Sequence, residues 1–194
     1  MKIAFYKCSD PYVMSKKAQI LAVAREAFDD VPDEAIESRL EKYPEIALAE
    51  DDEGVAGFMF PTPHTCGQHR MVGLRFLTVG NRCRNKKLST LLTGYVLVRA
   101  YSQYIRRRLS FNGPRHMYVV ARVCNPKAYY TLTAGNAGVS PEVGHSNPRA
   151  LVESRHEIYE WMKDEFGIPN YDPTTGIVKD GAVGAGIVPR NIQV

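Results

Sequence analysis

The sequence predicts a mixed α/β layer, with helices on both faces of a central sheet. Apolar runs of strand length alternate with amphipathic stretches of helix length along the 194 residues. The run at 71–79 is almost continuously apolar, which is typical of a central strand that is covered on both faces. Turn-forming residues separate these runs, and no internal repeat or low-complexity segment interrupts their order.

The first third of the chain predicts a strand followed by two helices. Residues 2–9 form the strand, and the breaker Ser9-Asp10-Pro11 ends it. Proline and acidic residues favour a first helical turn, so Pro32 and Asp33 begin a second helix that runs to about residue 43. The first helix is indicated by apolar residues at helical spacing: Ile20, Leu21, Ala24, Ala27 and Phe28.

A hairpin and a second strand-helix-strand unit follow. Residues 45–50 and 55–61 are predicted strands joined by a turn at 51–54. A basic turn at 80–87 leads from the central strand into a long helix from about 88 to 109, which Asn112-Gly113-Pro114 ends. The predicted apolar face of that helix comprises Leu88, Leu91, Leu92, Tyr95, Val98 and Ile105.

The remaining segments complete the predicted order of elements. Residues 116–123 read as another buried strand, and a short helix is expected after Asn125-Pro126. Asn147-Pro148 begins a last helix, which Gly167 ends. One side of that helix carries Leu151, Ile158, Tyr159, Met162 and Phe166. The Gly- and Pro-rich tail has short Val/Ile runs at 177–178 and 187–188, which predict either a late hairpin or a loosely held extension.

Composition excludes several classes of protein. With 44% hydrophobic and 24% charged residues, the chain has enough apolar material for a core. No apolar run approaches the roughly 20 residues of a membrane span, and the N-terminus does not read as a signal peptide, so we expect a cytoplasmic protein. A net charge of +4 is low for a nucleic-acid-binding module, so we read the three arginines at 106–108 as a solvated helix end.

Cysteine and histidine spacing predicts neither disulfides nor a metal site. The four cysteines form no Cys-x-x-Cys pair, and we expect them to be reduced. His64, Cys66 and His69 are of metal-ligand type, but no spaced partner completes a tetrahedral set. Pro61, Pro63 and Gly67 mark this segment as an ordinary loop.

The segment 79–92 carries the chemical signal. An apolar strand runs into a loop with four basic residues and then directly into an amphipathic helix. The first amides of a helix have no intrahelical partner, and its dipole adds partial positive charge there. The turn therefore suits an anion such as a pyrophosphate, and the alternative is a solvated basic linker.

This segment, together with the strand and asparagine that follow it, resembles the core of the GNAT superfamily of N-acetyltransferases. The loop of that family usually reads Arg/Gln-x-x-Gly-x-Gly/Ala and cradles the coenzyme A pyrophosphate. In the stretch 84–89, Arg84 matches, Lys87 replaces the first glycine and Ser89 the second small residue. Downstream, Asn125 and Ala128 match the family pattern Val-x-x-x-Asn-x-x-Ala.

The resemblance implies a mainly antiparallel GNAT-like sheet with a C-terminal helical or hairpin extension. It assigns residues 1–138 to an acyl-CoA-binding core and 139–194 to a helix and tail packed on the same domain. It further implies acetyl-CoA as co-substrate and direct attack by a primary amine of a small molecule or a protein. The implied cofactor-binding residues are Leu77, Thr78, Val79, Arg84, Asn85, Lys86, Lys87, Leu88, Ser89, Thr90 and Asn125.

Catalytic groups are harder to assign on the sequence. The usual family tyrosine position holds Leu132, so Tyr129 and Tyr130 are the candidates for the acid near the leaving thiolate. No general base is chosen among Glu45, Glu50, His64, His69 and His116. The altered loop and shifted tyrosine leave open a non-catalytic acyl-CoA-binding or protein-interaction domain. The segment after 138 could cover the acceptor cleft or form a homodimer contact.

Overall fold

The computed structural model describes residues 1–29, 31–66, 69–109, 113–114, 116–121, 156–166, 171–172, 177–178 and 188–189. The chain divides into two compact units. One comprises residues 1–121 with 186–194, and the other comprises residues 122–185.

A five-stranded mixed sheet organises the first unit, in the order β1-β3-β4-β5-β6. Its strands are β1 (Lys2–Lys7), β3 (Glu45–Asp51), β4 (Gly54–Cys66), β5 (His69–Val79) and β6 (His116–Ala121). Neighbours from β1 to β5 are antiparallel, and β5 and β6 are parallel. The predicted mixed, mainly antiparallel sheet is therefore confirmed.

Five α-helices accompany the strands in the described parts of the chain. They are α1 (Pro11–Ser15), α2 (Lys17–Ala27), α3 (Asp33–Lys42), α4 (Leu88–Arg108) and α5 (His156–Phe166). Asp10 caps α1, because its carboxylate accepts the Tyr12 amide at 2.8 Å, and Pro11 occupies the first turn. None of the helices in these described ranges is both long enough and apolar enough to cross a membrane.

The main core lies between α2, α3 and one face of the sheet. Ile20, Ile36, Ile46, Phe58 and Phe60 are fully buried members of this cluster. Side chains alternate between the faces of a strand, so the residues between these, such as Gly57 and Met59, face the side on which α4 packs. Both faces of the sheet are thus covered, which explains the continuous apolar run in β5.

The structure corrects the predicted face of α4. Leu91, Tyr95 and Val98 are 54%, 46% and 68% exposed, so their predicted burial is wrong. The buried side chains of the helix include a stripe of five residues at a constant spacing of four: Leu88, Leu92, Val96, Ala100 and Tyr104. The prediction placed the largest apolar side chains inside, whereas the docked helix buries the small residues Thr93 and Ala100.

The structure also corrects the described part of the predicted loop that Pro61, Pro63 and Gly67 mark; residues 67 and 68 lie outside the described residues. The strand β4 extends to Cys66 and β5 begins at His69, with Pro61 paired to Leu74 and Pro63 paired to Val72. In the described residues β4 pairs with β3 only as far as Met59, so beyond this point it has one neighbouring strand. Proline is tolerated there because its missing amide can face the unpaired side.

Smaller differences concern element ends. The first strand stops at Lys7 rather than residue 9, because the Cys8 amide bonds the Pro44 carbonyl at 3.1 Å outside the ladder. Phe28 belongs to the short strand β2 (Phe28–Asp29) rather than to the preceding helix. The described part of the last predicted helix is α5, which buries Ile158.

The tail contributes short strands in the described ranges. In the second unit β7 (Tyr171–Asp172) pairs with β8 (Ile177–Val178). In the first unit β9 (Val188–Pro189) pairs with β2. The two Val/Ile runs of the tail are therefore strands, but they pair with other segments and not with each other.

Candidate functional site

The parallel strands β5 and β6 pair over only part of β5. Their register runs from His69 opposite His116 to Leu74 opposite Ala121, where the described part of β6 ends. Within the described residues, the stretch 75–79 of β5 pairs only with β4. Unpaired backbone groups along a strand edge are available to an extended ligand.

A β-bulge lies in this half-paired stretch. Phe58 is opposite Thr78 and Phe60 is opposite Arg75, so Met59 faces two residues of β5. Phe76 has φ 55°, a left-handed conformation that is rare for an aromatic residue. The Thr78 hydroxyl donates to the Phe76 carbonyl at 3.0 Å and stabilises the bulge.

The loop between β5 and α4 is held from two sides before α4 begins. On one side the Glu26 carboxylate accepts the Asn81 amide at 2.7 Å, and Arg84 donates to the Glu26 carbonyl at 2.7 Å. On the other side Arg82 pairs with Asp51 of β3 at 2.8 Å. The loop is therefore fixed to the end of α2 and to the β3–β4 hairpin.

The helix α4 begins at an uncapped N-terminus. Lys87 precedes it with φ 60°, and its side chain makes no capping hydrogen bond. Among the described residues, the amides of Leu88, Ser89 and Thr90 have no acceptor. Lys86 and Lys87 are exposed, and neither forms an ion pair with another described residue. This arrangement suits an anion.

One of the two left-handed residues of this loop coincides with a defined position of the motif. Lys87 stands where the family pattern has its first glycine, and Asn85 also has a positive φ, of 63°. Glycine adopts this region without strain, and asparagine adopts it more readily than most residues. Lys87 therefore holds this left-handed conformation at a conformational cost that a glycine would avoid.

The structure brings most of the predicted cofactor residues into one continuous strip. Leu77, Thr78 and Val79 end β5, and the stretch 84–90 forms the loop and the first turn of α4. Thr78 is buried and Arg84 is committed to the end of α2, so both also have structural roles. Asn125, Tyr129 and Tyr130 lie outside the described residues.

The candidate bases in the strands have other partners. Glu45 accepts Arg99 at 2.7 Å, and Glu50 accepts the Tyr12 hydroxyl at 2.7 Å. The rings of His69 and His116 are stacked with centroids 5.6 Å apart. This geometry selects no general base.

Sequence reasoning missed a pair of arginines beside the bulge. The Arg39 guanidinium carbon lies 4.5 Å from the centre of the Phe76 ring. The corresponding carbon of Arg75 lies 5.3 Å from the centre of the Tyr43 ring. Burial lowers the pKa of Arg39, Tyr43 acts in the opposite direction, and the charge of Arg75 lowers the pKa further. No local pattern could have revealed this pair, because one member lies on α3 and the other on β5.

Comparison with solved structures identifies the fold. One similar structure is an aminoglycoside antibiotic 6′-N-acetyltransferase from Acinetobacter haemolyticus, at 13% identity and a TM-score of 0.51, covering 76% of this chain and 98% of that one. Another is an aminoglycoside acetyltransferase from an uncultured soil metagenomic sample, in complex with sisomicin. It has 12% identity and a TM-score of 0.50, and the match covers 75% of this chain and 93% of that one.

Comparisons based on sequence identify no related protein. The scan against protein-family models and the search of curated proteins both found no match. The identification therefore comes from the fold, in agreement with the strand-loop-helix pattern of the sequence. The chain has the fold of the GNAT superfamily of N-acetyltransferases.

Proposed function

We propose that this protein is an acetyl-CoA-dependent N-acetyltransferase that acts on a primary amine. The observation that carries the proposal is the continuous strip from the bulge of β5 to the uncapped N-terminus of α4. It combines unpaired strand edge, unpartnered helix amides and two lysines without ion pairs among the described residues. These are the groups that a long molecule with an amide-containing arm and a pyrophosphate requires.

The residues of the strip fit coenzyme A in a defined order. The amides of Leu88, Ser89 and Thr90, with Lys86 and Lys87, would hold the pyrophosphate. The backbone of residues 77–79 would bond the amide groups of the pantetheine arm. The bulge at Phe76 then lies at the end of the arm, where the acyl group belongs.

When bound, acetyl-CoA supplies the thioester that the amine attacks. The chain must hold the amine close to that carbonyl and accept its proton, since only the neutral amine is nucleophilic. We keep Tyr129 and Tyr130 as candidates for the group that protonates the leaving thiolate, and Asn125 as a cofactor contact. These assignments rest on the resemblance to the family.

The first experiment measures acetyl-CoA binding by calorimetry, with coenzyme A and ATP for comparison. The decisive variant is Ser89→Asp, since an acid in the first turn favours the helix but repels a pyrophosphate. We expect affinity to fall by about tenfold or more while thermal stability is maintained. Ser102→Asp is the matched control, because Ser102 is exposed on the same helix and remote from the loop.

The outcomes distinguish the functions. Binding that Ser89→Asp abolishes and Ser102→Asp does not would support the site, and release of coenzyme A with an amine would support the transferase. Binding without turnover on any amine would favour the non-catalytic acyl-CoA-binding domain. Absence of binding to the wild-type protein would refute the proposal.

A further inference from the structure

We propose that the acceptor amine carries an anionic group, a carboxylate or a phosphate, which Arg39 binds beside Arg75 at the bulge of β5. This inference rests on the proposed transferase function, because it places the acceptor next to the acyl position. It restricts the expected acceptors to primary amines that also carry a negative charge.

The two guanidinium groups are fixed on one face of the sheet by aromatic contacts. Arg39 lies over the Phe76 ring, and Arg75 lies over Tyr43, a buried member of the main core. Phe76 packs against Phe28, with ring centres 4.8 Å apart. The bulge thus brings the consecutive residues Arg75 and Phe76 to the same helix-covered face, where strict alternation would have separated them.

The charge of Arg39 is not compensated within the described residues. Arg39 donates to the Ala35 carbonyl of its own helix, and it forms no ion pair there. Two of the carboxylates of α3 are already engaged with other cations. Asp33 pairs with Arg25, and Glu37 pairs with Lys17 at 2.7 Å.

An anion between the arginines would remove a local repulsion. Burial has the largest effect and lowers the pKa of Arg39, Tyr43 raises it, and the positive charge of Arg75 lowers it, so Arg39 lies in the field of Arg75. Arginine binds carboxylate and phosphate through parallel hydrogen bonds, and stacking on an aromatic ring keeps its plane oriented. A group of this charge would therefore be bound tightly and in one orientation.

The same geometry disfavours a polycationic acceptor. A second ammonium group close to the bulge would meet two positive charges in a partly buried setting, where like charges repel more strongly than in water. The position of the pair gives it control over which amine reaches the thioester. The proposed thioester position lies at the bulge, beyond the last β5–β6 pair of the described residues.

The test compares small primary amines that differ only in the second group. Ethanolamine has a neutral tail, β-alanine a carboxylate, O-phosphoethanolamine a phosphate and ethylenediamine a second amine. Coenzyme A release gives kcat and KM for each. We expect kcat/KM to be at least about tenfold higher for an anionic amine than for ethanolamine, with ethylenediamine lowest. The difference between β-alanine and O-phosphoethanolamine identifies which anion is preferred.

Variants connect this preference to the arginine. Arg39→Gln should raise KM for the anionic amine by about tenfold, with a smaller effect on kcat, and Arg39→Lys should restore part of the affinity. The matched control is Arg25→Gln, which removes an exposed arginine of the same helical layer and should preserve the preference. Equal kcat/KM for all four amines, or an anion preference unaffected by Arg39→Gln, would overturn the proposal.

If the protein has no transferase activity, the anion site can still be tested by measuring the binding of the anionic amines. Calorimetry with O-phosphoethanolamine and β-alanine, in the presence of coenzyme A, measures the anion site directly. Binding that Arg39→Gln abolishes would uphold the site while the transferase proposal failed. No binding of either anion to a protein that does bind coenzyme A would refute the anion site alone.

Discussion

Arg82, in the loop before α4, and Asp51, at the end of β3, form a two-point ion pair. The Nη2 atom of Arg82 lies 2.8 Å from Oδ1 of Asp51, and its Nε atom lies 3.2 Å from Oδ2. The same Nη2 also donates to the carbonyls of Gly54 and Val55, at 3.2 and 2.9 Å. One side chain thus fixes the candidate cofactor loop to the β3–β4 hairpin, which reduces the entropy lost when a ligand binds.

We expect Asp51→Asn to lower the free energy of unfolding by about 1 kcal/mol at pH 7, because a charge-assisted contact is lost. Arg82 holds the pKa of Asp51 at about 2, below its ordinary value of 3.8. A depressed carboxyl pKa stabilises the fold above the unfolded value, and this stabilisation is lost as the pH falls through the folded value. In urea unfolding, the wild-type protein should therefore have a higher free energy of unfolding than Asp51→Asn. This difference should be constant above about pH 5 and should shrink between about pH 4 and pH 2.

The control for this prediction is Glu53→Gln. Glu53 lies 3.9 Å from the Nε atom of Arg82, but its side chain is 79% exposed, so little change is expected. A wild-type advantage over Asp51→Asn that persists unchanged at pH 2 would contradict the assigned role.

We expect Lys87→Gly to raise the free energy of unfolding by about 0.5–1 kcal/mol. The left-handed conformation at φ 60° costs a residue with a Cβ roughly 1–2 kcal/mol, which glycine avoids, although its greater freedom in the unfolded chain offsets part of the gain. Lys87→Ala separates strain from charge, because it removes the ammonium and retains the Cβ. If Lys87→Gly and Lys87→Ala had the same free energy of unfolding in urea titrations, backbone strain at residue 87 would be contradicted.

Gly57 and Gly94 form a matched pair for testing close packing. A Cβ on Gly57 would lie 2.7 Å from the Thr78 carbonyl oxygen, whereas a Cβ on Gly94 of α4 meets nothing within 4 Å. We expect Gly57→Ala to destabilise the protein by about 1–3 kcal/mol, since backbone must move. Gly94→Ala should stabilise it by about 0.5–1 kcal/mol, because alanine is the better helix former. If chemical denaturation showed that Gly57→Ala and Gly94→Ala change the free energy of unfolding in the same direction, the described packing would be refuted.

The thiols of Cys8 and Cys83 should react slowly in the native protein at pH 8. Burial raises the pKa of Cys8 to about 11, with a further contribution from Glu45. Burial also raises the pKa of Cys83, and the hydrogen bond to Asp51 adds to it. The thiolate is the reactive form, so alkylation mapped by peptide mass should be at least about tenfold slower than in urea. Alkylation of either peptide at the unfolded rate would contradict the described burial.

Local patterns were sufficient to predict the strip from β5 to α4. The apolar run, the basic turn and the amphipathic helix lie next to each other in the chain, and α4 begins at Leu88 as predicted. The face that α4 buries was predicted wrongly, because helix orientation depends on the surface of the sheet against which it packs. The prediction at Pro63 was wrong for a similar reason, because only the end of the β3–β4 pairing at Met59 leaves one side of β4 without a partner strand there, among the described residues.

The sequence by itself determined the alternation of elements, the central strand and the basic loop at an expected helix N-terminus. Only the tertiary structure decided how the four basic residues of that loop are used. Arg82 and Arg84 fix it in place, and Lys86 and Lys87 remain exposed. It also decided that Arg39 of α3 lies over the Phe76 ring at the bulge, and that Arg75 lies over the Tyr43 ring. The physical reason is that periodicity and capping act over a few neighbouring residues, whereas contacts between α3, β3 and β5 depend on how the whole chain packs.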